Sequence, residues 1–164
     1  MFEVGDYVVH GNSGICVVKD ISPIDMPGAA SGRLYYILST VGNVESRIYS
    51  PVDNVKVVLR KILTADEARH IINDIPDIPE TEFANEKFVE NQYKEMISSC
   101  DIRRLISLVK SLRHKQAKRV ADGKKITSTD ERYLKRAEYG VVSELALSLG
   151  MEREEVIEIL SKFE

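Results

Sequence analysis

The sequence predicts an α+β protein in which a small all-β module precedes an all-α module. The first 60 or so residues contain five runs rich in β-branched and aromatic residues, spaced about ten residues apart. After residue 59 the apolar residues instead recur at steps of three and four, which is the period of a helix. At 164 residues, with 43% apolar and 30% charged residues, the chain is long enough for two small globular domains.

The β module is predicted to form a small barrel or sandwich. Its runs cover residues 4–9, 15–18, 34–38, 44–49 and 55–59. Gly, Asn, Pro and Ser separate these runs, as they do in the loops between strands. We expect a tight turn at residues 11–14 and a longer, flexible loop at residues 25–32.

The change to helix is predicted at Thr64 and Glu67. Their spacing is that of a capping box, in which each side chain satisfies a free backbone amide near the start of a helix. A short helix should run from there to about Asn73. Pro76 and Pro79 should then end it, because proline removes a hydrogen-bond donor and clashes with the preceding turn.

The rest of the chain is predicted to be helical. Asp101 should cap a long helix, Ser128 and Glu131 form a second capping box, and Gly150 should end the helix that follows. Apolar residues predict an earlier helix over 88–97, and residues 152–163 form a last amphipathic one. The inner stripe of the long helix is expected to be Ile102, Leu105, Ile106, Val109 and Leu112. We therefore divide the chain into a β domain at 1–62, a short helix with a proline-containing linker at 63–82, and a helical domain at 83–164.

Charge is distributed unevenly along the chain. Residues 103–136 hold twelve Lys or Arg and three acids, a net charge of +9, whereas the remaining residues sum to −12. Glutamates four residues before the cations would compensate such a helix, and the basic run is not interleaved with them in this way. A basic helix can be only a solvated face, but regional imbalance favours a polyanionic partner such as nucleic acid. Binding through phosphates would weaken steeply with salt and carry little sequence preference.

The sequence offers no arrangement that indicates catalysis or metal binding. The histidines lie in three different elements without ligand spacing, and the turn at 11–14 is not a phosphate-binding loop. We therefore expect no catalytic residues, no cofactor and no metal, although a small enzyme using His10 or Ser13 remains an alternative. Cys16 and Cys100 are expected to be buried free thiols, with a disulfide as the less favoured possibility. No spanning helix or secretory signal is evident, which favours a cytoplasmic location.

Several segments together resemble the CarD/CdnL family of bacterial transcription regulators. The N-terminal stretch FEVGDYVVHGNSG at 2–14 carries the resemblance most strongly, followed by YYIL at 35–38 and SPVDN at 50–54. In the C-terminal half the matching features are Tyr93-Lys94, Asp101 before a basic helix, DERYL at 130–134 and SELAL at 143–147. The N-terminal module is also similar to the polymerase-interacting domain of transcription-repair coupling factors.

The resemblance implies a Tudor-like β-barrel that docks on the RNA polymerase β subunit, and a helical domain that contacts promoter DNA. Such a protein would sit at the upstream edge of the transcription bubble and modulate the stability of the open complex. We expect a nucleoid-associated bacterial protein that is a monomer and has no membrane partner. The alternative is a protein-interaction module that binds polymerase, or another acidic protein, without touching DNA.

The resemblance also implies particular contact residues. A polymerase-contacting Arg of the family falls at Tyr49, two residues before Pro51, with Arg47 nearby. The family's Trp wedge, four residues before the Tyr-Lys pair, falls at Val89, with Phe88 beside it, and Lys94 matches a DNA-contacting Lys. The predicted polymerase-binding residues are Arg47, Ile48 and Tyr49. The predicted DNA-binding residues are Phe88, Val89, Lys94, Arg113, Lys118, Arg132 and Lys135.

Overall fold

A computed structural model describes residues 1–11 and 13–163 and confirms the α+β class. The chain divides into two compact units, unit 1 from Met1 to Ile62 and unit 2 from Leu63 onward. Among the described residues, the regular elements of unit 1 are strands and those of unit 2 are helices.

Unit 1 is a five-stranded antiparallel sheet with the order β4-β3-β2-β1-β5. The turn predicted at 11–14 includes Asn12, which lies outside the described residues. Register shifts interrupt the β2–β3 and β3–β4 pairings, at Val18/Asp20 and at Leu38/Thr40 respectively. The strands are β1 (Tyr7–His10), β2 (Gly14–Pro23), β3 (Leu34–Thr40), β4 (Asn43–Pro51) and β5 (Leu59–Lys61).

One face of this sheet forms the core of unit 1. Alternate residues of the strands point to the same face, so the apolar members of each run meet there. Phe2 covers the core, with its ring packed edge-on against Tyr36 at a centroid distance of 5.3 Å. The fully buried residues of this cluster are Val8, Cys16, Val18, Tyr36 and Leu38.

The prediction of a fifth strand at residues 55–59 was wrong in its position. Strand β5 begins only at Leu59, and Val55 is almost fully exposed. The reason is a local turn at Asn54, whose side-chain amide donates to the carbonyl of Val57 at 3.0 Å and whose Oδ1 accepts from the amide of Lys56 at 2.9 Å. Side-chain to backbone bonds of this kind offer the chain an alternative to strand pairing.

Unit 2 consists of five α-helices and two 3₁₀ turns among its described residues. The turns lie at Ile75–Asp77 and Glu86–Phe88. The helices are α1 (Ala65–Asp74), α2 (Val89–Ser98), α3 (Ile102–Ala121), α4 (Ser128–Leu149) and α5 (Arg153–Ser161).

The predicted capping box of α1 is confirmed. The amide of Glu67 donates to Thr64 Oγ1 at 3.2 Å, and the amide of Thr64 donates to Glu67 Oε2 at 2.8 Å. Ala68 and Ile71 of this helix are buried in the core of unit 2. The short helix is therefore part of the helical unit.

Residues 76–82, which sequence analysis placed in a linker, pack along α3 together with Ile75. Ile75 and Ile78 are buried in the core of unit 2. Ser107 Oγ donates to the carbonyl of Pro79 at 2.7 Å, and the amide of Thr81 donates to Ser111 Oγ at 2.8 Å. The hydroxyls that hold this segment lie about 30 residues later in the chain, so its own composition could not predict the contact.

The helix ends follow the predictions with one correction. Asp101 caps α3 by accepting from the amide of Arg103 at 2.9 Å, and Gly150 ends α4 in the left-handed region with φ of 64°. At the start of α4, however, the cap is Thr127 and not Ser128. Thr127 Oγ1 accepts from the amide of Asp130 at 3.2 Å. Both positions carry a hydroxyl, and the helix register selects the one with the extended backbone.

The two hydroxyls at the start of α4 provide a matched test of the cap. Replacing Thr127 by Ala should lower the free energy of unfolding by about 1 kcal/mol, because the amide of Asp130 loses its acceptor. Ser128→Ala should change it by less than about 0.5 kcal/mol, since Ser128 is the first exposed helical residue. Urea denaturation followed by far-UV circular dichroism measures both. Equal losses in the two variants would show that the cap is assigned to the wrong residue.

Candidate nucleic-acid and polymerase interfaces

The longer edge of the unit 1 sheet is strand β4. It pairs only with β3, so its outer backbone groups face away from the sheet, whereas the opposite edge is the three-residue strand β5. A nine-residue edge with free donors and acceptors is the kind of surface to which a partner strand can add.

The three predicted polymerase-binding residues lie on this edge strand. Arg47 and Tyr49 are exposed on the outer face, with 38% of Tyr49 accessible. Ile48 alternates to the inner face and packs against the core. The three residues therefore lie on an accessible edge strand, and of these Arg47 and Tyr49 present their side chains outward.

In unit 2 a buried carboxylate joins α2, α3 and α4. Asp130 on α4 is 2% exposed; its Oδ1 accepts from the Tyr93 hydroxyl at 2.9 Å, and its Oδ2 lies 3.0 Å from Lys115 Nζ on α3. Burial, and secondarily the bond to Asp130, raises the pKa of Tyr93 above its ordinary value, so this hydroxyl donates at any physiological pH. Phe83 packs edge-on against the Tyr93 ring at 5.1 Å. These contacts fix the position of α2.

A second carboxylate, Glu90 on α2, gathers cations at the surface next to this network. Glu90 Oε1 accepts from the Tyr133 hydroxyl at 3.0 Å and from Arg132 at 3.0 Å, and it lies 3.5 Å from Lys94 Nζ. The bond from Tyr133 first, and then the two positive charges, lower the pKa of Glu90 below its usual value. Lys94 and Arg132, predicted separately, are thus brought together on one surface.

The two candidate wedge residues have different environments. Val89 is 9% exposed and belongs to the core of unit 2, so it is not accessible to a partner in this structure. Phe88 is 57% exposed at the start of α2, one residue before that core position and two before Glu90. Of the two neighbours that sequence analysis named, only Phe88 presents an apolar ring to solvent.

The expectation of an uncompensated basic helix was wrong for half of the run. At least six of the twelve cations in residues 103–136 have a carboxylate partner, and most of those partners come from other helices or turns. Lys110 instead donates to the carbonyls of Ile75 and Ile78. The sequence spacing within α3 could not show this, because the acids lie elsewhere in the chain. The paired cations are Arg103, Arg104, Arg113, Lys115, Arg132 and Lys135.

Within the part of the chain that the structure describes, four exposed lysines have no carboxylate partner. Three of them lie near the turn between α3 and α4, and the fourth lies just before the start of α2. They are exposed side chains that could meet phosphates without breaking an ion pair. The turn itself is closed by Gly123, with φ of 74°, and by the bond from the amide of Lys124 to the carbonyl of Arg119 at 2.8 Å. The lysines are Lys87, Lys118, Lys124 and Lys125.

The site prediction contained Lys118 but omitted Lys124 and Lys125. The signal that could have found them is the Asp-Gly pair at 122–123, which ends a helix and places the following lysines on an exposed turn. Lys118 also lines a groove with Arg113 and Lys135, where Arg113 Nη2 lies 2.7 Å from Glu138 Oε1. The predicted DNA-binding residues therefore occupy two places on unit 2, one around Glu90 and one along this groove.

The residues considered for catalysis or redox chemistry lie apart from these surfaces. His10 is buried in unit 1, and burial lowers its pKa below the ordinary value. Cys16 and Cys100 are buried and form no disulfide, and burial raises the pKa of Cys16 to about 11, which keeps its thiol protonated. Among residues 1–11 and 13–163, no cluster of three potential metal ligands occurs, and no helix is both long and apolar enough to cross a membrane.

Two family models match the chain. Residues 2–63 match the CarD-like/TRCF RID domain, and residues 76–161 match the CarD, C-terminal domain. The boundary between the two matched segments lies next to the division between unit 1 and unit 2. A comparison with curated proteins gives no match.

The buried network makes a testable contribution to stability. Asp130→Ala should lower the free energy of unfolding by about 3 kcal/mol, because it leaves the buried Tyr93 hydroxyl without its acceptor and removes the buried one of the two carboxylates that Lys115 contacts. As a control, Glu131→Ala removes the exposed pair with Lys135 and should cost less than about 1 kcal/mol. Urea denaturation measures both variants, and a loss below 1 kcal/mol for Asp130→Ala would contradict the importance of the network.

Proposed function

Because this chain belongs to the CarD-like family of RNA polymerase-interacting transcription regulators, we propose that unit 1 docks on the polymerase β subunit and unit 2 contacts promoter DNA near the upstream edge of the bubble. The observation that carries the DNA half is the exposed ring of Phe88 at a helix start that the Asp130 network anchors, in the unit where Lys94 and Arg132 meet at Glu90. No catalytic step is needed for this function.

The proposed DNA contact combines an apolar wedge with phosphate-binding cations. Phe, Leu, Ile and Met side chains can insert between base steps at a cost of a few kcal/mol in lost stacking, which the added contacts offset. Phe88 would supply the wedge, and the unpaired Lys87, Lys124 and Lys125 would contact phosphates. Lys94 and Arg132 share Glu90, so their contribution to phosphate binding is smaller than their formal charge suggests.

The proposed polymerase contact rests on the edge of β4. A partner strand can pair with its outer backbone groups, while Arg47 and Tyr49 provide side-chain contacts. Backbone pairing depends little on side-chain identity. Docking therefore tolerates the difference between Tyr49 and the Arg that the family resemblance implies at this position.

The two contacts together would act by thermodynamic linkage. A protein that binds the open promoter complex better than the closed one shifts the equilibrium by the difference in its binding free energies. A difference of about 1.4 kcal/mol changes the ratio of open to closed complexes tenfold. By binding promoter complexes as a monomer, the protein would be associated with the nucleoid in the bacterial cytoplasm. Binding to polymerase without DNA contact is the second candidate, which the compensated charges of unit 2 favour.

The wedge can be tested with forked and fully paired promoter DNA. Phe88→Ala should weaken binding to a forked duplex about fivefold or more while leaving fully paired duplex binding almost unchanged, since base–aromatic stacking is worth about 1–3 kcal/mol. Fluorescence anisotropy at two salt concentrations, with polymerase present, measures both affinities.

Tyr139→Ala removes another exposed aromatic ring of unit 2 and is the matched control. Lys124→Glu with Lys125→Glu should weaken both DNAs and reduce the salt dependence, whereas Lys162→Glu should not. If wild-type protein shows no salt-dependent DNA binding even with polymerase, the interaction-only function is the correct one.

The polymerase contact can be tested on the same full-length chain. Arg47→Glu should weaken binding to polymerase about tenfold or more, because it places a carboxylate on the outer face of the docking edge. Lys56→Glu makes the same charge change on an exposed loop of unit 1 and should have little effect. Surface-immobilised polymerase gives both affinities. A loss that is equal in the two variants would mean that β4 is not the docking edge.

A further inference from the structure

A large open groove with an apolar floor runs along unit 2, away from Phe88. Its volume is about 1090 Å³, and it lies between α3, α4, α5 and the segment 75–80. Ile106, Val109 and Val142 line its floor, while Tyr139 and Ile157 stand at its margins with 54% and 50% of their surface exposed. Side chains this large are normally buried when they adjoin other apolar groups, so their joint exposure marks a contact surface.

The shape of the groove fits a helix. The lining positions of α3 recur from Ile106 to Lys118 at steps of three and four, and this stripe is about 18 Å long. The lining residues of α4 and α5 recur at the same helical steps, from Lys135 to Val142 and from Arg153 to Leu160. A trough of three helix faces with this length accommodates about three turns of an additional helix, whose apolar stripe would occupy the floor.

The charged residues that line the groove indicate which charge the flanking residues of that helix should carry. Glu80 pairs with His114, and Glu138 pairs with Arg113, so both lining carboxylates are already engaged. Three other lining cations have no carboxylate partner in the described part of the chain; two lie on the α3 stripe and one lies at the start of α5. They are Lys110, Lys118 and Arg153. Lys118 is exposed, whereas Lys110 also donates to the carbonyls of Ile75 and Ile78. Arg153 also donates to Ser143 Oγ and lies 4.4 Å above the centre of the Tyr139 ring.

We propose that this groove binds an acidic amphipathic helix of a partner protein. Its apolar residues, spaced at i, i+3 or i+4 and i+7, pack on the floor between Val109, Val142 and Ile157. Its flanking Asp or Glu side chains face Lys110, Lys118 and Arg153. A DNA duplex would satisfy these cations but has no apolar stripe to cover Tyr139 and Ile157, so a protein helix fits both features of the groove. The inference is independent of the proposed DNA contact at Phe88.

The test uses three synthetic helix-stabilised peptides of 14 residues and the full-length chain. One carries leucines at helical spacing flanked by Glu, one has the same leucines flanked by Lys, and one has the Glu composition with scrambled spacing. We expect the Glu-flanked peptide to bind at least tenfold more tightly than either of the others, by fluorescence anisotropy, and to weaken as salt is raised.

Ile157→Glu should weaken binding of the Glu-flanked peptide at least tenfold. It is a half-exposed position, and circular dichroism with urea denaturation checks that the variant remains folded. Val120→Glu introduces the same charge at an exposed apolar position of α3 that does not line the groove, and it should bind the peptide like the wild type. If Ile157→Glu disturbs folding, Phe163→Glu replaces it as the test, because Phe163 also lines the groove. This variant should weaken binding of the Glu-flanked peptide by a similar factor.

Three results would overturn the proposal. Equal affinity for the three peptides, or unchanged affinity in both groove variants, would show that the groove does not select such a helix. Concentration-dependent dimerisation that Ile157→Glu abolishes, measured by sedimentation, would identify a second copy of the chain as the occupant. Weaker duplex binding in Ile157→Glu with unchanged peptide affinity would assign the groove to DNA.

Discussion

The surface of unit 2 depends on one buried carboxylate. Asp130 joins the hydroxyl of Tyr93 on α2 to the ammonium of Lys115 on α3, and a buried charge is tolerated only when its partners stay in place. Because all three helices must keep this geometry, the start of α2 cannot shift relative to the α3–α4 hairpin. The exposed ring of Phe88 is therefore presented from a fixed position, as a side chain that inserts between bases requires.

The ion pairs of unit 2 decide which charges remain available to a partner. Cations such as Arg113, Lys115 and Arg132 are partly neutralised by carboxylates from neighbouring helices and turns. Exposed pairs contribute little to stability, but they remove cations from the field that a polyanion would meet. What remains is a small set of unpaired lysines around the hairpin turn and three cations along the apolar groove. This distribution is compatible with two separate contact surfaces on one helical unit.

The two units present their candidate interfaces by different physical means. Unit 1 offers the outer backbone groups of β4, whose proposed pairing with a partner strand would depend more on main-chain geometry than on side-chain identity. Unit 2 offers side chains on helix faces and helix ends, where a single replacement changes the contact. One example is Phe or Val in place of the Trp that the family resemblance implies. The segment 75–82 contributes to the surface of unit 2. Its hydrogen bonds to Ser107 and Ser111 hold it along α3, where it forms one side of the groove.

Local patterns determined most of the fold: the α+β order, the capping box at Thr64, the caps at Asp101 and Gly150, and the run that became β4. These features depend on residues within a few positions of each other, whose propensities and hydrogen bonds are visible in the sequence. Only the tertiary structure decided that Val89 is core and Phe88 exposed, that residues 75–82 pack along α3, and that half of the basic run is paired with carboxylates. Burial and ion pairing depend on residues from different helices, often 25 to 40 positions apart, and no local period encodes which of them will meet.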